Sequence, residues 1–196
     1  MTAVGRFTRL PAGRGHLDAL MPALAALYDE TDRLERWGGE LARVLSDGGR
    51  LLALGNGGSA CQAQHLTSEL VGRYRDDRPP YSALALCTEM SALTAIGNDY
   101  GIEHVFARQV RGHGRSGDVL VALSTSGCSP NVLAAVDAAA EVGMTTLALT
   151  GRSGNPLALR CDDALCVESP HTATVQEVHQ VAIHLVCAAF EGALAC

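Results

Sequence analysis

Near the start of the chain, apolar residues recur at helical spacing: Leu17, Leu20, Met21, Leu24, Leu27 and Tyr28, then Leu34, Trp37, Leu41, Val44 and Leu45. This periodicity predicts two amphipathic helices. From Arg50 the pattern changes to short runs that are apolar almost throughout: "RLLAL", "YSALAL", "DVLVAL", "TTLAL" and "DALCV". Helix-like stretches over 59–72, 102–110 and 130–142 separate most of them, and 172–194 reads as a long, mostly apolar closing helix. Strands without a polar face, alternating with helices, predict a parallel sheet covered on both sides. The expected fold is α/β, a three-layer sandwich with a five-stranded parallel sheet flanked by helices. With no internal repeat and no linker, residues 16–196 read as a single domain, and residues 1–15 as a flexible N-terminal tail.

Composition narrows the function classes. The 196 residues are 47% hydrophobic and 18% charged, enough apolar content for one sizeable core and too little charge for disorder. A net charge of -6 gives no general attraction to nucleic acid or to an anionic membrane, so an anionic substrate would need a local, preorganised pocket. The start, "MTAVGRFTRLPAGRGH", lacks the continuous apolar core of a secretory signal, and no apolar run approaches a membrane span. The seven cysteines are odd in number, show no C-x-x-C and sit mostly inside apolar segments. Buried thiols in a reducing cytoplasm fit that usage better than disulfides or a thiolate zinc site.

Two strand ends carry phosphate-type chemistry. After "RLLAL" comes "GNGGSA": Gly57 and Gly58 permit close backbone approach, and Ser59 adds a hydroxyl at a helix start. After "DVLVAL" comes "STSGCSPN", where Ser124, Thr125, Ser126 and Ser129 surround Gly127 and Pro130 suits a first helical position. Gly55, Gly57 and Ala60 also satisfy a dinucleotide-type glycine pattern. That reading expects an acid at the end of the second strand, whereas Asp76 and Asp77 lie in the charged loop "RYRDDRPP" and Glu89 falls too far along. Ordinary caps and turns use the same residue types. Two hydroxyl-rich loops at neighbouring strand ends favour a compact phosphate monoester, and no nucleotide cofactor is expected.

Groups able to move protons or hold a cation lie on the flanking helices. His65 and Glu69 are four residues apart and share a helix face, which makes them half of a metal site or a base with its partner. In "QEVHQVAIHLV", His184 sits in a strongly apolar neighbourhood, while His179 and Glu177 read as the polar side. Gln176 and His184 are about 12 Å apart along an ideal helix, a demanding span for one small ligand. "IGNDYG" places Asn98 and Asp99 in a turn, either a plain turn or a donor set for sugar hydroxyls.

Taken together, "GNGGSA", "QHLTSELVGRYR", "RPPY", "IGNDYG", "GDVLVALSTSG" and "QEVHQVAIH" resemble the phosphoheptose isomerases, a family of sugar isomerase (SIS) domain enzymes. The resemblance runs from the early helices to the last one. It implies interconversion of D-sedoheptulose 7-phosphate and D-glycero-D-manno-heptose 7-phosphate through an enediol, with Glu69 matching the family's base and His184 its acid. It further implies that Asn56, Gly57, Gly58 and Ser59 form the first substrate loop. Ser124, Thr125, Ser126 and Ser129 would then hold the phosphate, while Glu69, Asn98, Asp99 and Gln176 contact the sugar chain. One zinc per subunit on His65, Glu69, Gln176 and His184 would polarise the carbonyl or order the site. The family forms homotetramers with sites near subunit interfaces. Two departures stand out: "ATVQ" places Ala173 and Thr174 where the family has an Asp–Arg pair, and Cys128 replaces an asparagine in the phosphate loop. They leave open a different sugar phosphate, or a non-catalytic phosphosugar-binding regulator of the same fold.

Overall fold

The five apolar runs form strands, and two neighbouring ones, the first and third in chain order, are buried along their whole length. A computed structural model describes residues 12–195. Its strands are β1 (Leu51–Gly55), β2 (Ala83–Ala85), β3 (Val119–Ser124), β4 (Thr145–Thr150) and β5 (Asp163–Cys166). They pair in the order β2-β1-β3-β4-β5, all parallel, with Leu51 opposite Val119 and Val119 opposite Thr145. Alternate residues of each strand feed opposite layers. Leu51, Ala53, Val121, Leu123 and Leu147 pack under α1 (Ala12–Ala26), α2 (Thr31–Ser46), α3 (Gly58–Val71) and α8 (Thr172–Leu194). Leu52, Leu54, Leu120, Ala122 and Ala148 pack under α5 (Val105–His113), α6 (Pro130–Val142) and α7 (Pro156–Arg160), with α4 (Met90–Tyr100) at their margin.

This topology decides where a ligand can sit. The chain leaves β1 for β2 on one side and returns to β3 on the other, so the crevice beyond the C-terminal ends of β1 and β3 is the topological switch point. Both glycine- and serine-rich loops leave the sheet there.

The sheet edge is pinned by a histidine that the sequence pattern placed on the polar side of α8. His179 is fully buried, and its Nε2 lies 3.1 Å from the Thr150 carbonyl. Facing an acceptor, that nitrogen carries the proton. The same carbonyl accepts the Val167 amide at 3.0 Å, while the Thr150 hydroxyl donates to the Ser124 carbonyl at 2.7 Å. Burial pulls the His179 pKa down to about 4, against the opposing effect of the Thr150 hydrogen bond.

Other expectations are corrected as well. Helix α1 begins at Ala12, so residues 12–15 are helical and not tail; residues 1–11 and Cys196 lie outside the described residues. Asn98 and Asp99 belong to the last turn of α4, because nothing before Gly101, with φ +94°, breaks the helix. Helix α7, capped by the Asn155 side chain on the Ala158 amide, was unanticipated in so short a segment. The described cysteines are free but not mostly buried: Cys187 is buried, Cys61 and Cys128 are exposed, and Cys87, Cys161 and Cys166 are half-buried. No helix among the described residues is long and apolar enough to cross a membrane.

The buried neutral His179 makes stability pH-dependent. Between its folded pKa of about 4 and the ordinary histidine value of 6.5, the unfolded chain binds the extra proton, so stability falls as pH falls through that window. His179→Gln removes the titration while keeping an N–H for Thr150. Denaturant unfolding at pH 6.5 and pH 4 should show the wild type losing about 3 kcal/mol more than the variant.

Candidate active site

The first loop turns sharply at Gly57, whose φ of +54° only glycine adopts freely, and α3 starts at the next residue. The Ser59 amide bonds back to the Asn56 carbonyl at 3.1 Å, and the Ser59 side chain is buried against the loop. Asn56 pairs with Asn131 of α6 through two reciprocal amide hydrogen bonds of 2.9 Å each, which lock the two loops together. Asn131 lies within the quoted serine-rich motif, yet its role was not legible, because only the fold reveals its partner.

The second loop is ordered from within. Ser124 Oγ lies 3.2 Å from Ser129 Oγ and accepts the Gly127 amide at 3.2 Å, while Ser126 Oγ accepts the Cys128 amide at 3.2 Å. Ser129 caps α6 without bonding its amides through the side chain, which leaves that helix start available to an anion. Thr125 is half-buried, and its carbonyl is crowded by Gly151. A cleft of about 620 Å³ opens between the loops, lined by Asn56, Ser129, Pro130, Asn131, Ile102 and Glu103. Ile102 and Glu103 follow α4 after Gly101, while Asn98 and Asp99 do not themselves line this cleft. Both are exposed, and Asn98 donates to Asp99 Oδ1 at 2.7 Å.

The side chains expected to act as acid and base meet across the seam between α3 and α8. His65 Nε2 lies 2.9 Å from His184 Nε2 and 3.2 Å from Glu69 Oε1; all three side chains are half-buried, and their donor atoms fall within 4.8 Å of one another. Two imidazole nitrogens that close require a shared proton or a cation between them. Tetrahedral zinc with N and O donors at about 2.0–2.2 Å sets its ligands slightly over 3 Å apart, so this trio fits the ion with small outward shifts. His184 therefore does not occupy the apolar face of α8 that its sequence neighbours suggested; His179 does.

Gln176 reaches the site differently from the other three. Its amide lies over Gly58, where an added Cβ would come within 2.5 Å of Nε2, and its carbonyl accepts a hydrogen bond from Gln62. Between Gln176 and His184 stands Gln180, whose Nε2 is 3.4 Å from His184 Nε2. Gln180 was missed, although its spacing of four residues from each was a usable signal. Tyr74, also missed, lays its ring 5.6 Å from that of His184 at 33°. Of the two departing residues before Gln176, Thr174 is fully buried with its hydroxyl unpaired. Ala173 instead lines a cavity with Gly15, His16 and Ala19 of α1.

Comparison with known proteins bears on the family and the fold. The SIS domain family matches residues 17–151. The chain is 63% identical to a phosphoheptose isomerase of Streptomyces coelicolor over 180 residues, covering 92% of this chain and 78% of that one. It superposes on the phosphoheptose isomerase of Francisella tularensis with a TM-score of 0.87 at 33% identity, covering 92% of this chain and 97% of that one. For the enzyme of Neisseria gonorrhoeae the TM-score is 0.81 at 43% identity, with 92% and 95% covered.

Gly127 offers a direct check on the second loop. Its φ is +63°, and an added Cβ would sit 1.9 Å from Asn155 Oδ1. Gly127→Ala should cost about 2 kcal/mol or more in denaturant unfolding and weaken phosphate binding. Gly154→Ala, at φ +76° with open space around it, should cost only about 1 kcal/mol and leave binding intact.

Proposed function

The chain belongs to the SIS domain family, among its phosphoheptose isomerases, and from that membership we propose how its loops and its Glu–His–His cluster divide the work. It is an aldose–ketose isomerase that interconverts sedoheptulose 7-phosphate and D-glycero-D-manno-heptose 7-phosphate. The observation that carries the mechanism is the meeting of Glu69, His65 and His184 across two helices that are far apart in sequence.

In the forward direction Glu69 takes a proton from C1 of the ketose while His184 donates one to the C2 oxygen, giving the enediol. Glu69 then returns its proton to C2, and His184 accepts the proton of the C1 hydroxyl as that carbon becomes the aldehyde. Atoms and charges balance, and each group ends as it began. Ser124, Thr125, Ser126 and Ser129 hold the phosphate through hydroxyls and the α6 amides, with Asn56, Gly57, Gly58 and Ser59 forming the opposite wall. Asn98, Asp99 and Gln176 bind sugar hydroxyls. Gly58 and Glu69 lie about 16 Å apart along α3, so phosphate grip and proton transfer occupy different ends of a long ligand.

Zinc would be held by His65, Glu69 and His184, with Gln176 as a fourth ligand once its amide turns from Gly58. When bound, it would supply Lewis-acid polarisation of a carbonyl or order the site. A carboxylate has two oxygens, so Glu69 would hold the ion and still move a proton, and His184, ligating through one ring nitrogen, would exchange its proton through the other. The enzyme works in the cytoplasm as a homotetramer with sites near subunit interfaces. Supporting that assembly, α4 buries none of its residues fully, and Leu17, Met21, Met90, Tyr100 and Ile102 are exposed. Exposed apolar surface of this kind suits a protein interface.

Glu69→Gln should lower kcat by at least about a hundredfold with sedoheptulose 7-phosphate, followed by NMR, while substrate binding persists. Metal analysis should give about one zinc per chain in the wild type and far less in His65→Ala. Undiminished turnover by Glu69→Gln would overturn the assignment of the base.

A further inference from the structure

Beyond Glu69, α3 ends in a loop whose polar contacts converge on one buried ion pair. The Arg78 guanidinium donates from Nη2 to the Glu69 carbonyl at 2.5 Å and from Nη1 to the carbonyls of Leu70 at 3.0 Å and Pro79 at 3.1 Å. Its Nε donates to Glu191 Oε1 of α8 at 3.2 Å. Both side chains are only 8% exposed, and the guanidinium carbon stands 5.5 Å from the Tyr81 ring centre and 5.2 Å from that of Phe190.

Glu191 answers with more than one charge. Its oxygens accept the amides of Tyr74 at 3.0 Å, Arg75 at 3.1 Å and Asp76 at 3.4 Å. Burial alone would raise its pKa, but those amides and the Arg78 charge outweigh burial and hold the carboxyl below its ordinary range. Anchoring the Tyr74 amide fixes the root of the ring that lies against His184.

A buried ion pair is a poor stabiliser in itself, since apolar residues of similar volume often do as well. What an apolar replacement would lack is direction. The planar guanidinium fork bonds the successive carbonyls of Glu69 and Leu70, and the Glu191 carboxylate bonds three successive amides, that of Tyr74 among them. The two outputs reach the two groups that exchange protons with the sugar.

We propose that Arg78 and Glu191 are positioning residues of the isomerase: through the Glu69 carbonyl and the Tyr74 ring, this buried pair sets where base and acid stand relative to each other. The proposal rests on the reading of Glu69 as base and His184 as acid. Neither Arg78 nor Glu191 touches the reacting atoms.

The test compares zinc-loaded wild type with Arg78→Ala, Arg78→Lys, Glu191→Gln and Tyr74→Leu, and runs Glu69→Gln in parallel. Each variant is assayed well below its own unfolding temperature. Lysine keeps the charge but not the planar fork, so Arg78→Lys should regain most of the thermal stability lost in Arg78→Ala without regaining kcat. Arg78→Lys and Glu191→Gln should lose about tenfold or more in kcat while KM stays within about threefold, the signature of misplaced groups and not of weaker binding. Tyr74→Leu retains the ion pair and decides the matter if the charged variants fail to fold. It should lower kcat and remove the ring-current shift of the His184 Cε1–H resonance, and Glu191→Gln should move that same resonance. If Glu69→Gln is inactive while the folded variants keep wild-type kcat and an unmoved His184 resonance, positioning is refuted and the acid–base reading stands. If Glu69→Gln remains active, the acid–base reading fails and takes the positioning role with it.

Discussion

Two helices separated by more than half the chain meet along one line, and the chemistry proposed for this protein depends on that seam. His65 and Glu69 come from α3, His184 from α8, and no local sequence feature brings them within hydrogen-bond distance. The seam is held at both ends. At the loop end Gln62 bonds the Gln176 main-chain carbonyl and the Gln176 side-chain amide covers Gly58, where a Cβ would displace that amide. At the other end Arg78 and Glu191 tie the last turn of α3 to the last turns of α8. Between these ties the acid–base groups have little freedom, which is what proton transfer at two adjacent carbons requires.

The sheet supplies the other half of the site by topology. Parallel strands send all their C-terminal ends to one edge, and the change of winding direction between β1 and β3 leaves a crevice there. On the proposed reading, an acidic protein gains a phosphate site at that edge without a cluster of lysines. Hydroxyls, loop amides and the α6 start supply local positive potential, so the net charge of -6 does not repel the ligand at the point of contact. The Asn56–Asn131 pair and the Thr150–Ser124 bond hold the two loops in register with the sheet.

How much of this was legible in the sequence follows from what each signal depends on. The strands were legible because "LLAL" and "VLVAL" are buried on both faces, a condition that only uniformly apolar runs satisfy. The loops were legible because two glycine- and serine-rich turns follow neighbouring strand ends, a pairing that ordinary caps explain less well than they would explain one. The histidines of α8 were misjudged: hydrophobic neighbours in sequence surround His184, but helical periodicity turns it toward α3 and buries His179 instead. The turn read at Asn98 and Asp99 is helical, since asparagine and aspartate tolerate a last turn when a glycine follows. Asn131, Tyr74 and Arg78 act through partners distant in sequence, so only the folded chain identifies them, whereas Gln180, four residues from His184, was open to an argument from helical spacing.

The central claim is that a carboxylate moves a carbon-bound proton between C1 and C2. It is tested most directly by bringing sedoheptulose 7-phosphate to equilibrium with the enzyme in D₂O and measuring carbon-bound deuterium in both sugars by NMR and mass spectrometry. Repeated passage through an enediol, with the proton resting on a half-buried Glu69, predicts progressive deuterium at C1 of the ketose and C2 of the aldose. Full equilibration of the two sugars with no carbon-bound deuterium in either, together with an undiminished rate in Glu69→Gln, would contradict the account.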